Sequence, residues 1–230
     1  QARARTHGVF MARGVASDRS VAPPRATDRP AATSRAPPGP VRQAHDGVAI
    51  GFVGRLVPHR GLDTLLEALA RHRHAVWRLT VVGDGPERER LEGLATDLRL
   101  AARIRWVGAL PPEHVSELWP TLDLLVVPSR PTPSWNEPVN ATLLDAMAHE
   151  IAVIGSDTGV LPELIGGAGL VTPAGNADAL AGALERVLDP TARAQLAQAA
   201  RARALQLFSD DAIAERTMAF WAELLTHPKP

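Results

Sequence analysis

The chain has 230 residues, 45% of them apolar, with 25 basic and 25 acidic side chains and no cysteine. That length suits one large domain or two small ones; the missing thiols exclude a disulfide framework, a thiolate metal site and a cysteine nucleophile. No apolar run reaches the roughly 18–20 residues of a membrane-spanning helix, and the start of the chain lacks the apolar core of a secretory signal.

The neutral total hides an asymmetry. Residues 1–47 hold eight Arg and three Asp, a net of +5, which leaves −5 for the remainder. A basic nucleic-acid-binding face on that remainder is not expected. Lys229 is the only lysine beside 24 arginines, a bias that points to a GC-rich genome more than to a function. The chain begins at Gln1 rather than Met and reads as a fragment or processed product.

Residues 1–47 carry six prolines and many Ala and Arg, with no sustained helical or alternating apolar pattern. They read as a disordered or linker segment; a transit peptide has a similar composition and is the lesser alternative. A folded domain is expected over residues 48–227. Its first run, 48–54, is short, apolar and ended by Gly54, as in a buried parallel strand. A helix follows over 62–73, with Leu62, Leu65, Leu66 and Leu69 on one face. It ends in Arg71, His72, Arg73 and His74. The His-x-His spacing fits a metal, but cations at a helix C-terminus explain it better.

Next come a strand over 76–83, stopped by Gly83-Asp84-Gly85-Pro86, and a charged helix over 87–98. A third strand spans 104–108, and a short helix 112–118 opens on Pro112. Strands over 123–127 and 151–156 flank a helix expected over 138–150, and 170–172 is a last short strand. Helices over 177–188, 191–207 and 210–225 close the chain, the last capped by Ser209. Strands alternating with helices imply an α/β fold with a doubly wound parallel sheet, Rossmann-like in kind.

Ligands of such sheets bind outside the carboxyl ends of the strands, where the strand order reverses. Four loops qualify: 55–61, 83–86, 128–136 and 157–163. In the first, Gly54 and Gly61 bracket Arg55 and Arg60, two guanidiniums suited to a diphosphate; two exposed surface arginines fit equally well. No Gly-x-Gly-x-x-Gly follows the first strand and no Walker A loop occurs, which demotes classical NAD enzymes and P-loop NTPases.

In the third loop, Pro133-Ser134-Trp135-Asn136-Glu137-Pro138 runs through Val139, Asn140 and Ala141 to Asp145. If Pro138 opens the helix, Asp145 stands roughly 12 Å further along its axis than Glu137. Two acids so far apart cannot share a proton, but they can hold the two ends of one long polar ligand. Two ordinary surface acids on a solvated helix are about as good a reading of the spacing. Asn140 is expected on the first turn, able to add a hydrogen bond. Trp135 either covers a base or sugar face or plugs the loop onto the core. In the fourth loop, Glu163 reads more readily as the cap of a short helix than as a ligand contact.

Taken together, these segments resemble the donor-binding C-terminal domain of family 4 glycosyltransferases over residues 48 to about 225. The matches fall in family order. They are Gly54-Arg55-Leu56 with Arg60-Gly61; Val81-Val82-Gly83-Asp84-Gly85-Pro86; Glu137 with Leu143-Leu144-Asp145-Ala146-Met147-Ala148; Gly155-Ser156-Asp157-Thr158-Gly159 with Pro162-Glu163; and Gly167-Ala168-Gly169-Leu170-Val171.

The resemblance implies the C-terminal half of a GT-B architecture, in a retaining enzyme that moves a hexose-like sugar from UDP or GDP to a glycan, lipid or small-molecule acceptor. It implies that Arg55 and Arg60 hold the diphosphate and stabilise the charge that develops on it. Glu137 would contact the donor sugar and Asp145 the ribose, with Gly54 and the backbone of Val139, Asn140 and Ala141 also meeting the donor. It implies no metal or other cofactor, and a lipid acceptor would bring peripheral membrane association; a cytoplasmic setting is compatible with the absence of cysteine. The chain departs from the family pattern at four places. Arg60 replaces a Lys, exchanging a compact ammonium for a planar fork, and Asp145 replaces a Glu. Val139-Asn140 stands for Phe-Gly, and His149-Glu150-Ile151-Ala152 for a small-residue-Gly-x-Pro run. Nothing in residues 1–47 supplies the N-terminal acceptor domain that a GT-B enzyme needs. A non-catalytic remnant acting as a binding module, and a GT-B-like sugar-nucleotide epimerase, are the alternative readings.

Overall fold

The computed structural model describes residues 46–226; the segment read as a linker, apart from its last two residues, lies outside them. Six strands form one sheet: β1 (Val48–Val53), β2 (Trp77–Val82), β3 (Ile104–Gly108), β4 (Leu124–Val127), β5 (Ala152–Ser156) and β6 (Leu170–Thr172). The order is β3-β2-β1-β4-β5-β6, and every neighbouring pair is parallel. The doubly wound parallel sheet is therefore the observed fold, and its order reverses between β1 and β4.

The central strands β1 and β4 read as apolar runs because both faces are covered, whereas β2 and β3 carry the exposed Arg78 and Arg105. All four residues of β4 are buried. Leu124 and Val126 join the core that holds α1 (Leu62–Leu69) and α6 (Ala177–Leu188). Leu125 and Val127 join the opposite core, with α4 (Ala141–Ala148) and α7 (Pro190–Phe208). The remaining helices are α2 (Arg88–Asp97), α3 (Pro112–Val115), α5 (Leu161–Ile165) and α8 (Asp210–Thr226). The expected cap of α8 forms, with the Ala212 N–H donating to Ser209 Oγ. Along α8, Met218, Phe220, Trp221 and Leu225 are all exposed.

The two histidines of the His-x-His pair have different surroundings. His72 Nε2 lies 2.8 Å from the Ala181 carbonyl; that oxygen only accepts, so the nitrogen donates. His72 fastens the end of the first helix to α6, and His74 is exposed.

The helix expected over 138–150 is shorter at both ends. Asn140 is extended and caps α4, its Oδ1 accepting from the Leu143 N–H at 2.9 Å. The Glu137 carbonyl is already taken by the Val160 N–H at 3.2 Å, so Pro138 and Val139 lie ahead of the helix. The regular rise assumed between Glu137 and Asp145 therefore begins only at Ala141. At the other end Glu150 adopts φ +61°, a left-handed conformation that stops α4 where the related pattern has a glycine.

Candidate functional site

Strands β1 and β4 pair only at Ile50–Leu124 and Gly51–Leu125, so their carboxyl ends are free to part. The loop after β1 and the loop after β4 face each other across this gap. Two glycines allow close packing here, Gly61 between these two loops and Gly159 between the loop after β5 and Glu137. A Cβ on Gly61, which has φ +69°, would stand 1.9 Å from the Pro128 carbonyl oxygen; one on Gly159, at φ +56°, would stand 2.0 Å from that of Glu137. Neither position admits a side chain.

Glu137 occupies the centre of the gap. It is 2% exposed, and an unpaired carboxylate is costly to bury. Arg60 Nη1 donates to both of its oxygens, at 2.8 and 2.9 Å. Ser129 Oγ donates to Oε2 at 2.5 Å and Asn140 Nδ2 to Oε1 at 3.1 Å. Ser129 is itself held through its carbonyl, which accepts from Ser156 Oγ. Arg60 Nε is buried with no hydrogen-bond partner among the described residues. Such an orphan donor is costly where it stands and calls for an acceptor.

A second layer braces the arginine loop. The Arg130 N–H donates to the His59 carbonyl at 2.8 Å, and its guanidinium bonds the Pro58 carbonyl and pairs with Asp63 Oδ1 at 3.0 Å. Trp135 stacks at a tilt on His59, ring centroids 4.2 Å apart, and Arg60 sits 5.3 Å from the Trp135 ring centre. Trp135 thus plugs the loop onto the arginine loop. Burial first, and then the charge of Arg60, lower the His59 pKa below the ordinary imidazole value; Glu137 opposes this, while Arg55 and Arg130 add to it. A cation beside two guanidiniums is disfavoured, so His59 stays neutral at physiological pH.

The remaining candidates are spread out. Arg55 is exposed and, among the described residues, no hydrogen bond or ion pair holds its guanidinium. It lines a cavity of about 240 Å³ with Gly54, Val82, Asp84, Leu110 and Val115, at the carboxyl ends of β1, β2 and β3. Val139 is 64% exposed, and Ala141 is exposed at the first position of α4. Asp145 does not join Glu137's hydrogen-bond cluster. Its Oδ2 accepts from the indole N–H of buried Trp119 at 2.7 Å, and its Oδ1 lies 3.2 Å from His149 Nδ1. Glu163 is exposed on the first turn of α5. Sequence reading missed Ser129, Arg130 and Trp119. Ser129 and Arg130 carried a usable signal, since they directly follow a buried strand in a loop already under suspicion; Trp119 carried none.

The sequence profile of the glycosyl transferases group 1 matches residues 40–203. The chain belongs to that family. The D-inositol 3-phosphate glycosyltransferase of Acidothermus cellulolyticus is 31% identical over 182 residues, which are 73% of this chain and 39% of that protein. Among solved structures, the sucrose-phosphate synthase of Thermosynechococcus elongatus superimposes with a TM-score of 0.66 at 30% identity, over 79% of this chain and 46% of its own. HepE of Anabaena, solved in complex with UDP, gives 0.65 at 25% identity, over 77% and 49%. The chain thus spans less than half the length of each of these relatives. As a member of the group 1 glycosyl transferase family with a Rossmann-like sheet, it has the fold of one half of a GT-B protein. Among the described residues no helix is long and apolar enough to cross a membrane.

Proposed function

We propose that residues 48–227 are the donor-binding domain of a retaining glycosyltransferase, whose acceptor domain is a separate Rossmann-like half. The carrying observation is the meeting of Arg60, Glu137 and the start of α4 at the β1–β4 gap. In this reading the nucleoside base enters the cavity beside Leu110 and Val115, and the diphosphate reaches Arg55 and Arg60. Arg60 spends Nη1 on Glu137, which leaves Nη2 for an anion. The first N–H groups of α4, at Ala141 and Thr142, have no intrahelical acceptor and suit a phosphate oxygen. Glu137 meets the donor sugar and Asp145 the ribose. When the bond between the sugar's anomeric carbon and the diphosphate breaks, its electron pair leaves with the phosphate oxygen. The guanidiniums stabilise the charge gathering there. The UDP bound to HepE and the glycosyl transfer named for the Acidothermus relative support a nucleotide sugar as donor. A glycan, lipid or small molecule serves as acceptor, at the cytoplasmic side of a membrane where it is a lipid.

Titration calorimetry with UDP and GDP tests this. One of them binds the chain, and Arg55→Ala weakens it about tenfold or more, the loss of a charge-assisted phosphate contact. No binding of either at millimolar concentration overturns the proposal. One observation favours a second reading, a non-catalytic binding module: the Asp145 carboxylate is already engaged by Trp119 and His149. Transfer or donor hydrolysis, measured once a matching acceptor half is supplied, rules that reading out.

A further inference from the structure

Asn140 stands where the related pattern has glycine, and both ends of its amide are in use. Oδ1 accepts from the Leu143 N–H at 2.9 Å and caps α4. Nδ2 donates to Glu137 Oε1 at 3.1 Å. The amide orientation follows from the partners: flipped, the NH2 group would face an N–H and the oxygen would face a carboxylate. The backbone of Asn140 is tied as well, its carbonyl accepting from the Leu144 N–H at 3.2 Å.

Glu137 is otherwise held from two directions. Arg60 reaches it from the loop after β1, and Ser129 from the end of β4. Neither contact links the carboxylate to α4. Among the described residues, Asn140 makes the one hydrogen bond from the N-terminus of α4 to the Glu137 carboxylate. Asp, Ser and Thr cap helices about as well as Asn. Asp, however, lacks a donor, and Ser and Thr are shorter by an atom and carry a single O–H. A planar amide accepts from the helix and donates to the carboxylate along two separate bonds.

We propose that Asn140 is a positioning residue for Glu137, fixing the carboxylate relative to the N-terminus of α4 rather than touching the ligand itself. The proposal rests on the donor-domain reading only in naming a nucleotide sugar as what Glu137 meets. It also accounts for the tolerated loss of glycine at this position: the side chain turns back onto Glu137 instead of standing in the gap.

Two variants test it. Asn140→Asp keeps the capping oxygen and adds a negative charge at a helix N-terminus. A role limited to capping therefore makes it as stable as the unaltered chain, or more so. Positioning of Glu137 instead makes it less stable, because a donor at 3.1 Å becomes a like charge. Urea unfolding at pH 7.5 is expected to show the equilibrium moved about tenfold or more toward the unfolded state. That loss shrinks as the pH is lowered toward about 4, where the introduced aspartate side chain takes up a proton and regains a donor. Unchanged or increased stability overturns the proposal. The second variant, Asn140→Gly, carries no added charge and tests the ligand side. It is expected to weaken whichever of UDP-glucose and GDP-mannose the unaltered chain binds by about fivefold, which is about 1 kcal/mol at 1.4 kcal/mol per tenfold step. Affinity within twofold of the unaltered chain overturns it. Failure of both nucleotide sugars, and of UDP and GDP, to bind the unaltered chain removes the donor-domain reading. The unfolding experiment needs no ligand and still decides whether Asn140 holds Glu137.

Discussion

Glu137 and Asp145 lie eight positions apart in one segment, yet their surroundings have little in common. Glu137 is 2% exposed and takes hydrogen bonds from the loop after β1, the end of β4 and the cap of α4. The side chain of Asp145 is 43% exposed and meets Trp119 and a histidine one turn away on its own helix. The difference is one of dielectric and of geometry. A carboxylate cut off from water must be paired on every side, and the partners then fix it in place. A half-exposed carboxylate can exchange a protein partner for water at small cost.

The largest expected effect breaks that contrast at its stronger end. Glu137→Gln removes the charge that compensates Arg60. Because the Arg60 side chain is itself 25% exposed, the loss is below that of a fully buried pair, about 2–3 kcal/mol in urea unfolding. Asp145→Asn, measured alongside, is expected to cost less than about 1 kcal/mol. Equal losses at the two positions would erase the distinction.

Trp119→Phe sharpens the weaker end. The indole is fully buried and its N–H is spent on Asp145. Its replacement leaves a small void and one lost bond, together about 1–2 kcal/mol. A melting temperature lower by roughly 3–6 °C would report this. No change would mean that the bond contributes nothing to the native state.

The smallest effect concerns His59, whose pKa is lowered in the folded chain. Between the lowered value and the ordinary one, near pH 6.5, the unfolded chain binds more protons than the native chain. Stability therefore rises with pH across that window and is lost as the pH falls through it. His59→Gln should flatten the dependence, seen as a smaller difference in unfolding free energy between pH 7.5 and 5.5. A steeper dependence would show that His59 gains its proton favourably in the native loop.

Much of the fold was legible in local pattern. The strands expected over 104–108 and 170–172 have those limits in the structure, as does the helix over 177–188. Buried parallel strands read as short apolar runs, and a helix with one apolar face reads at a period of 3.6. The misreading at 138–150 has a local and a remote cause. The capping amide of Asn140 was visible as a residue type, but the Val160 contact that holds the Glu137 carbonyl outside the helix comes from the next loop. Glu150 was recognisable as a departure from the related pattern. That it nevertheless takes the left-handed conformation, at a cost of about 1–2 kcal/mol, is a property of the folded backbone.

At the site, loops after parallel strands converge at one edge of the sheet, which nominated Arg55, Arg60, Glu137 and Asn140; Asp145 was singled out by its spacing from Glu137 and by the family resemblance. Which of them act together was decided only in three dimensions. Arg60 and Glu137 are 77 positions apart, and Trp119 and Asp145 are 26 apart. No periodicity reaches across such separations. Alternation and spacing determine which residues form elements and which ends of those elements are exposed. The pairing of one carboxylate with Arg60 and of the other with an indole depends on where β1 and β4 part, and that is set by the packing of the whole sheet.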